Sequence, residues 1–208
     1  MQANQTATQA KGTGQLAARK RGNWILFIVI AICAAPMIFS YLTYYVIKPQ
    51  GRTNYGDVLD PRAYPMPELS LRTLDGKPVT LDAYKGKWIM LQVDRSDCAK
   101  PCTDKLYYMR QLRLTQGKEK DRVERVWLIQ DDAPLQTVLM REYDGTHMLR
   151  TDPEKLSAWL PVDKGTTVTE HLYLIDPLGN LMMRFPKNPD ANRIKKDLGK
   201  LLKASRIG

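Results

Sequence analysis

The chain has 208 residues, 43% hydrophobic and 26% charged, with 32 Lys and Arg against 22 Asp and Glu and a formal net charge of +10. The basic excess is dispersed rather than gathered in one block, and no nucleic-acid motif accompanies it. That argues against a nucleic-acid partner and for a solvated surface, or a face toward anionic lipid or an acidic protein. There is no P-loop, no zinc cluster and no spacing that suggests a Ser-His-Asp arrangement.

Residues 1–23, rich in Gln, Ala, Thr and Gly, read as a disordered tail. Trp24 to Ile47 then runs without a charged residue and is long enough to cross roughly 30 Å of hydrocarbon. It reads as one transmembrane helix over residues 24–47, with Trp24, Tyr41, Tyr44 and Tyr45 toward its ends, where aromatic rings prefer the headgroup zone. Lys11, Arg19, Lys20 and Arg21 precede the span without any acidic residue. Lys48 and Arg52 follow it among Asp57 and Asp60. The positive-inside rule therefore predicts a cytoplasmic amino terminus, a single pass through the inner (plasma) membrane and an exported, periplasmic remainder. A cleaved signal peptide is the rival reading, but the run exceeds a usual signal core and no small-x-small site follows it. Cys33 reads as an apolar-like residue of the span.

Residues 48–67 hold four prolines and two glycines with no sustained apolar period, and read as a linker. Residues 68–208 are left for folding, about one ordinary domain. Within them Leu69 to Thr73 and Pro78 to Leu81 flank Asp75-Gly76, a hairpin signal, and Trp88 to Val93 reads as a buried central strand. A helix is predicted over 103–114 and a second central strand over 123–129. A helix over 134–143 and a short strand over 147–149 at the sheet's edge follow, then a short helix from Asp152-Pro153-Glu154 through Leu160. His171 to Ile175 and Leu181 to Phe185 pair through Asp176-Pro177-Leu178-Gly179-Asn180. Residues 190–203 form an amphipathic helix with Ile194, Leu198, Leu201 and Leu202 on its apolar stripe. The order predicts an α/β sandwich with a mixed sheet.

The most informative residues are Cys98 and Cys102, in Asp97-Cys98-Ala99-Lys100-Pro101-Cys102, between the predicted central strand and the helix that follows. Two thiols so placed can oxidise together, share a metal, or form a purely structural bridge in an exported domain. Lys100, Lys105 and Arg95 favour thiolate, while Asp97 and Asp104 oppose it.

A strand leading to paired cysteines at a helix start, the late hairpin Tyr173 to Asn180 and the terminal helix together resemble the thioredoxin superfamily over about residues 66–203. Cys-x-x-x-Cys behind one amino-terminal anchor is similar to its Sco/SenC branch. That resemblance implies a thioredoxin-like mixed sheet flanked by helices and a role in cytochrome c oxidase biogenesis. It also implies copper bound by Cys98, Cys102 and a histidine on the loop before the hairpin. Val168 stands five residues before Tyr173, where the branch carries that histidine, and His171 stands two before it. His171 is accordingly the candidate third ligand or proton-transfer group. By the same resemblance Cys98 is the attacking thiol and Cys102 the resolving one. The implied partner is the copper-bearing subunit of the oxidase or another exported thiol protein. A tethered thiol–disulfide oxidoreductase with a different substrate and a non-catalytic scaffold are the alternatives.

Overall fold

The structure, a computed structural model, describes residues 10–47 and 54–207. The chain divides into two compact units, Met1–Arg52 and Thr53–Gly208. In the first, helix α1 covers Ala10–Leu42 and passes into a π-helical turn over Thr43–Ile47. Its segment Trp24–Val46 is long and apolar enough to cross a membrane. The reading of residues 1–23 as a disordered tail is corrected from Ala10 onward, where the chain is helical; residues 1–9 lie outside the described residues. Ala10, Leu16, Ala17, Ala18, Arg19 and Lys20 are strong helix formers, and extending an existing helix avoids the cost of a new nucleus.

The second unit is an eight-stranded mixed sheet of the predicted α/β class. Its strands are β1 (Asp57–Val58), β2 (Leu71–Thr73), β3 (Pro78–Val79), β4 (Trp88–Asp94), β5 (Val123–Ile129), β6 (His147–Arg150), β7 (Leu172–Ile175) and β8 (Leu181–Phe185). They lie in the order β1-β8-β7-β4-β5-β6-β2-β3. β4, β5 and β6 run parallel, and every other pairing is antiparallel. The helices are α2 (Lys100–Leu114), α3 (Thr137–Glu142), α4 (Pro153–Trp159) and α5 (Ala191–Ala204). β6 lies inside the sheet rather than at its edge, because β2 and β3 close that side. The helix expected over 134–143 is only Thr137–Glu142, with Gln136 extended before it.

Alternation along β4 builds two cores. Trp88 and Met90 point to the face covered by Leu106, Met109, Ile194 and Leu198 of α2 and α5. Ile89, Leu91 and Val93 point to the opposite face, with Leu156 and Trp159 of α4. Each such side chain, when fully buried, contributes about 1.5–3 kcal/mol. The starts of α4 and α5 are capped as their sequences imply. The Asp152 carboxylate accepts from Glu154 N, and that of Asp190 accepts from Asn192 N and Arg193 N. At the β7–β8 turn Asp176 Oδ1 accepts from Leu178 N and Asn180 N, and Gly179 sits at φ +94, a conformation that favours glycine.

The linker reading of residues 48–67 is corrected as well: residues 48–53 lie outside the described residues, and from residue 54 the chain belongs to the folded unit. Asp197 of α5, 2% exposed, accepts from Tyr55 N at 2.6 Å and Gly56 N at 3.0 Å. β1 adds to β8, and Leu59, Tyr64 and Met66 pack on the core behind α4. Backbone amides and scattered side chains make these contacts, so no apolar period marks the segment. The approach at Gly56 is close, because a Cβ there would stand 2.5 Å from Met183 Sδ and 2.9 Å from Phe185 Cε1.

Candidate thiol–disulfide site

β4 ends at Asp94, five residues form a loop, and α2 begins at Lys100 with Pro101 in its first turn, where a missing N–H costs nothing. Ala99, extended at φ −70 and ψ 177, turns the chain into the helix, and its carbonyl accepts from Cys102 N and Thr103 N. The geometry puts Cys98 on the loop and Cys102 in the first helical turn, joined by a disulfide with Cα atoms 5.2 Å apart. Cys98 is 9% and Cys102 2% exposed, so both are buried and Cys98 is the less buried residue.

Beneath the pair lies Gln92 of β4, wholly buried, whose Nε2 stands 3.1 Å from Cys102 Sγ and 3.3 Å from Cys102 O. Beside the pair a cavity of about 460 Å³ is bordered by Ala99, Pro101, Cys102, Lys105, Tyr108 and Glu170. Lys105 is 5% exposed, and its ammonium donates to Asp94 Oδ2 at 3.1 Å and to the Thr169 carbonyl. Burial pulls its pKa below the ordinary 10.5 despite the opposing pull of Asp94. The other charges are matched on the surface. Lys100 pairs with Asp104 at 2.7 Å, a hydrogen bond that holds the Lys100 pKa up, and Arg95 lies 3.7 Å from Asp97 and 3.6 Å from Asp131.

The Lys105 shift has a definite sign for stability. In the fold the neutral amine is favoured relative to the unfolded chain, so burying the ammonium costs free energy at every pH below the folded-state pKa. That cost is relieved as pH rises from there toward 10.5. Relative to Lys105→Met, the native chain is expected to gain stability across this alkaline range. Denaturant unfolding at a series of pH values measures it, and a difference between the two proteins that stays flat there contradicts the assignment.

His171 does not join the cysteines, which corrects the expectation that it completes a ligand set. It is fully buried between a 3₁₀ turn over Val168–Glu170 and β7. Its Nδ1 is 2.8 Å from Phe185 O and its Nε2 2.7 Å from Thr166 Oγ1. A carbonyl only accepts, so Nδ1 carries a proton, and whichever way the hydroxyl points, Nε2 has no lone pair left for a metal. Val168, at the position where the resemblance expects a histidine, is 8% exposed and packs in the core behind α4. Among the described residues no three His, Cys, Asp or Glu side chains gather to hold a metal. The donors at the pair are two sulfurs, which do not by themselves make the three-ligand copper site that the resemblance implied. The other histidine, His147, lies 3.3 Å from Glu124 and packs against the Tyr84 ring at a tilt of 42°.

Residues 88–205 match the family model described as the transmembrane-like, thioredoxin-like, C-terminal domain. The chain belongs to that family. Among solved structures it is similar to yeast Sco1, at 17% identity and a TM-score of 0.53, over 74% of this chain and 98% of that one. It is also similar to Arabidopsis thaliana ScoI with copper bound, at 20% identity and a TM-score of 0.51, over 73% of this chain and 99% of that one. At these identities the likeness is one of fold, and it bears out the thioredoxin-like, Sco-type architecture. No curated protein matches by sequence. This thioredoxin-like family member keeps its cysteine pair between a central strand and α2.

Sequence reasoning found the pair and named Lys105 but missed Gln92, Asp94 and the Thr169 carbonyl. One signal was available for Gln92: it is the lone polar residue in Trp88 to Val93, in phase with Trp88 and Met90 on the face that α2 covers.

Proposed function

We propose that this chain is a membrane-tethered thiol–disulfide exchange protein that works through Cys98 and Cys102. The observation that carries the reading is their disulfide at the start of α2, with Cys102 bordering a cavity and Cys98 the less buried residue of the two. An incoming thiolate attacks Cys98 Sγ, the Sγ–Sγ bond breaks, and its electron pair leaves on Cys102 Sγ. The partner's second thiol then displaces Cys98, so the partner dithiol loses two electrons and the pair gains them. In reverse, Cys98 attacks a partner disulfide and Cys102 resolves the mixed disulfide. The amino-terminal charge pattern supports a cytoplasmic amino terminus and an exported domain. The partner we propose is an exported thiol protein, with the copper-bearing subunit of cytochrome c oxidase the first candidate, because solved folds similar to this one include Sco proteins.

The second reading is that the reduced pair carries Cu(I) as cargo. It is favoured by the softness of two adjacent thiolates, with any third ligand supplied by the partner. The test uses the full chain in detergent with Cys33→Ser, so that only Cys98 and Cys102 titrate. Reduction by dithiothreitol and turnover with a disulfide substrate are expected. Cys98→Ser is expected to abolish mixed-disulfide formation, and Cys102→Ser to trap it. A disulfide that resists excess dithiothreitol in the folded protein defeats the exchange reading. Cu(I) uptake by the reduced protein in competition with a chelator decides the second reading, which fails if no uptake occurs at micromolar copper.

A further inference from the structure

Gln92 is a large polar residue at 0% exposure in the middle of a central strand, on a face otherwise built from Trp88, Met90 and the apolar side of α2. Its orientation is set by chemistry. The Cys102 carbonyl 3.3 Å away only accepts, so the amide must present Nε2 there, and the second N–H of that nitrogen points at Cys102 Sγ, 3.1 Å away. The amide oxygen is left buried with no hydrogen-bond partner among the described residues. An apolar side chain would avoid that orphaned oxygen, which costs free energy in a buried site. A disulfide sulfur is a weak acceptor and gives little in return. A thiolate at the same position is a charged acceptor, and hydrogen bonds to charged groups are roughly twice as strong as neutral ones.

We infer that Gln92 is a positioning residue that tunes the redox chemistry of the pair by donating its amide N–H to Cys102 sulfur most strongly when that sulfur is a thiolate. The inference rests on the exchange reading above and deepens it. When a partner thiolate attacks Cys98, negative charge develops on Cys102 Sγ, the sulfur that leaves, and the amide is already aimed at it. Gln92 thereby makes Cys102 a better leaving group, lowers its thiol pKa and displaces the equilibrium from disulfide toward dithiol. The two electrons come from the partner dithiol, which becomes a disulfide, and its protons pass to Cys98 and to solvent while Cys102 remains thiolate. Lys105, bordering the same cavity as Cys102, adds positive charge but is held by Asp94 and Thr169, whereas Gln92 donates directly to the sulfur.

The test compares Gln92→Met, which keeps length and removes the donor, and Gln92→Asn, which keeps the amide on a shorter stem, with the parent full chain in detergent, all carrying Cys33→Ser. Three quantities are read: the equilibrium with dithiothreitol, the thiolate absorbance of the reduced protein against pH, and thermal unfolding of the oxidised protein. Both variants are expected to shift the exchange equilibrium toward the disulfide by about tenfold, equivalent to ~30 mV, and to raise the Cys102 thiol pKa. Gln92→Met is expected to melt no lower than the parent, since it removes an orphaned oxygen from an apolar face. A residue that merely filled space would alter melting and leave the equilibrium and the thiol pKa alone. Equilibria and thiol pKa values equal to the parent's in both variants overturn the inference while the exchange reading stands. A parent disulfide that dithiothreitol leaves intact overturns both.

Discussion

Asp197→Leu is expected to destabilise the globular unit by about 3 kcal/mol and to release the segment that begins at Tyr55. The native carboxylate is 2% exposed and accepts from two backbone amides, Tyr55 N and Gly56 N. Leucine has no acceptor, and an orphaned buried N–H costs about 1–3 kcal/mol. The full loss for two amides is tempered because the segment can detach and hydrate, which also breaks the β1–β8 pairing of Asp57 with Arg184 and Val58 with Met183. Asp197→Asn keeps one acceptor oxygen and loses the charge, so about half the effect is expected. Denaturant unfolding measures the free energy, and hydrogen exchange at Tyr55 and Gly56 measures the release. Amides that stay protected in Asp197→Leu would show that something other than the carboxylate holds them.

The second large effect is expected at His171. His171→Ala should lower stability by about 3 kcal/mol, since it leaves Phe185 O without its donor, strips a partner from Thr166 and opens a cavity in a site with no solvent access. The same variant should leave Cu(I) uptake by the reduced protein at the parent's level, because both ring nitrogens are already engaged inside the fold. A copper ligand would behave in the opposite way, with weakened uptake and modest structural cost. The pair of measurements, unfolding and chelator competition, therefore separates a structural histidine from a metal ligand. Copper affinity reduced tenfold without a fall in stability would return His171 to the site.

These two residues mark the boundary of what periodicity can read. Asp197 lies in phase with the stripe formed by Ile194, Leu198, Leu201 and Leu202, so its burial has a local signal, but the groups it meets do not. Its role depends on backbone amides 141 and 142 residues away in sequence. His171 was legible as a residue near the hairpin, but the fate of its nitrogens depends on Thr166 in the preceding loop and on the Phe185 carbonyl of the neighbouring strand. Elements whose signal lies within one turn or one strand were read closely: β4, β5, β8 and α5 fall within a residue of their expected bounds. The segment after residue 54 was not, because β1 is two residues long and owes its place to partners on β8 and α5.

By itself the sequence determined the apolar segment able to span a membrane, the alternation of strands and helices, and two cysteines between a buried strand and a helix. All three are written in local runs of residue type, where solvent, hydrocarbon and backbone periodicity act over a few residues at a time. Only the tertiary structure decided which polar groups meet those cysteines. Strand alternation and helix packing carry Gln92 beneath Cys102, burial shuts Lys105 against Asp94, and the turn before β7 folds His171 into hydrogen bonds of its own. A buried polar side chain must find partners wherever the fold brings them, and that search crosses the whole sequence rather than its neighbourhood.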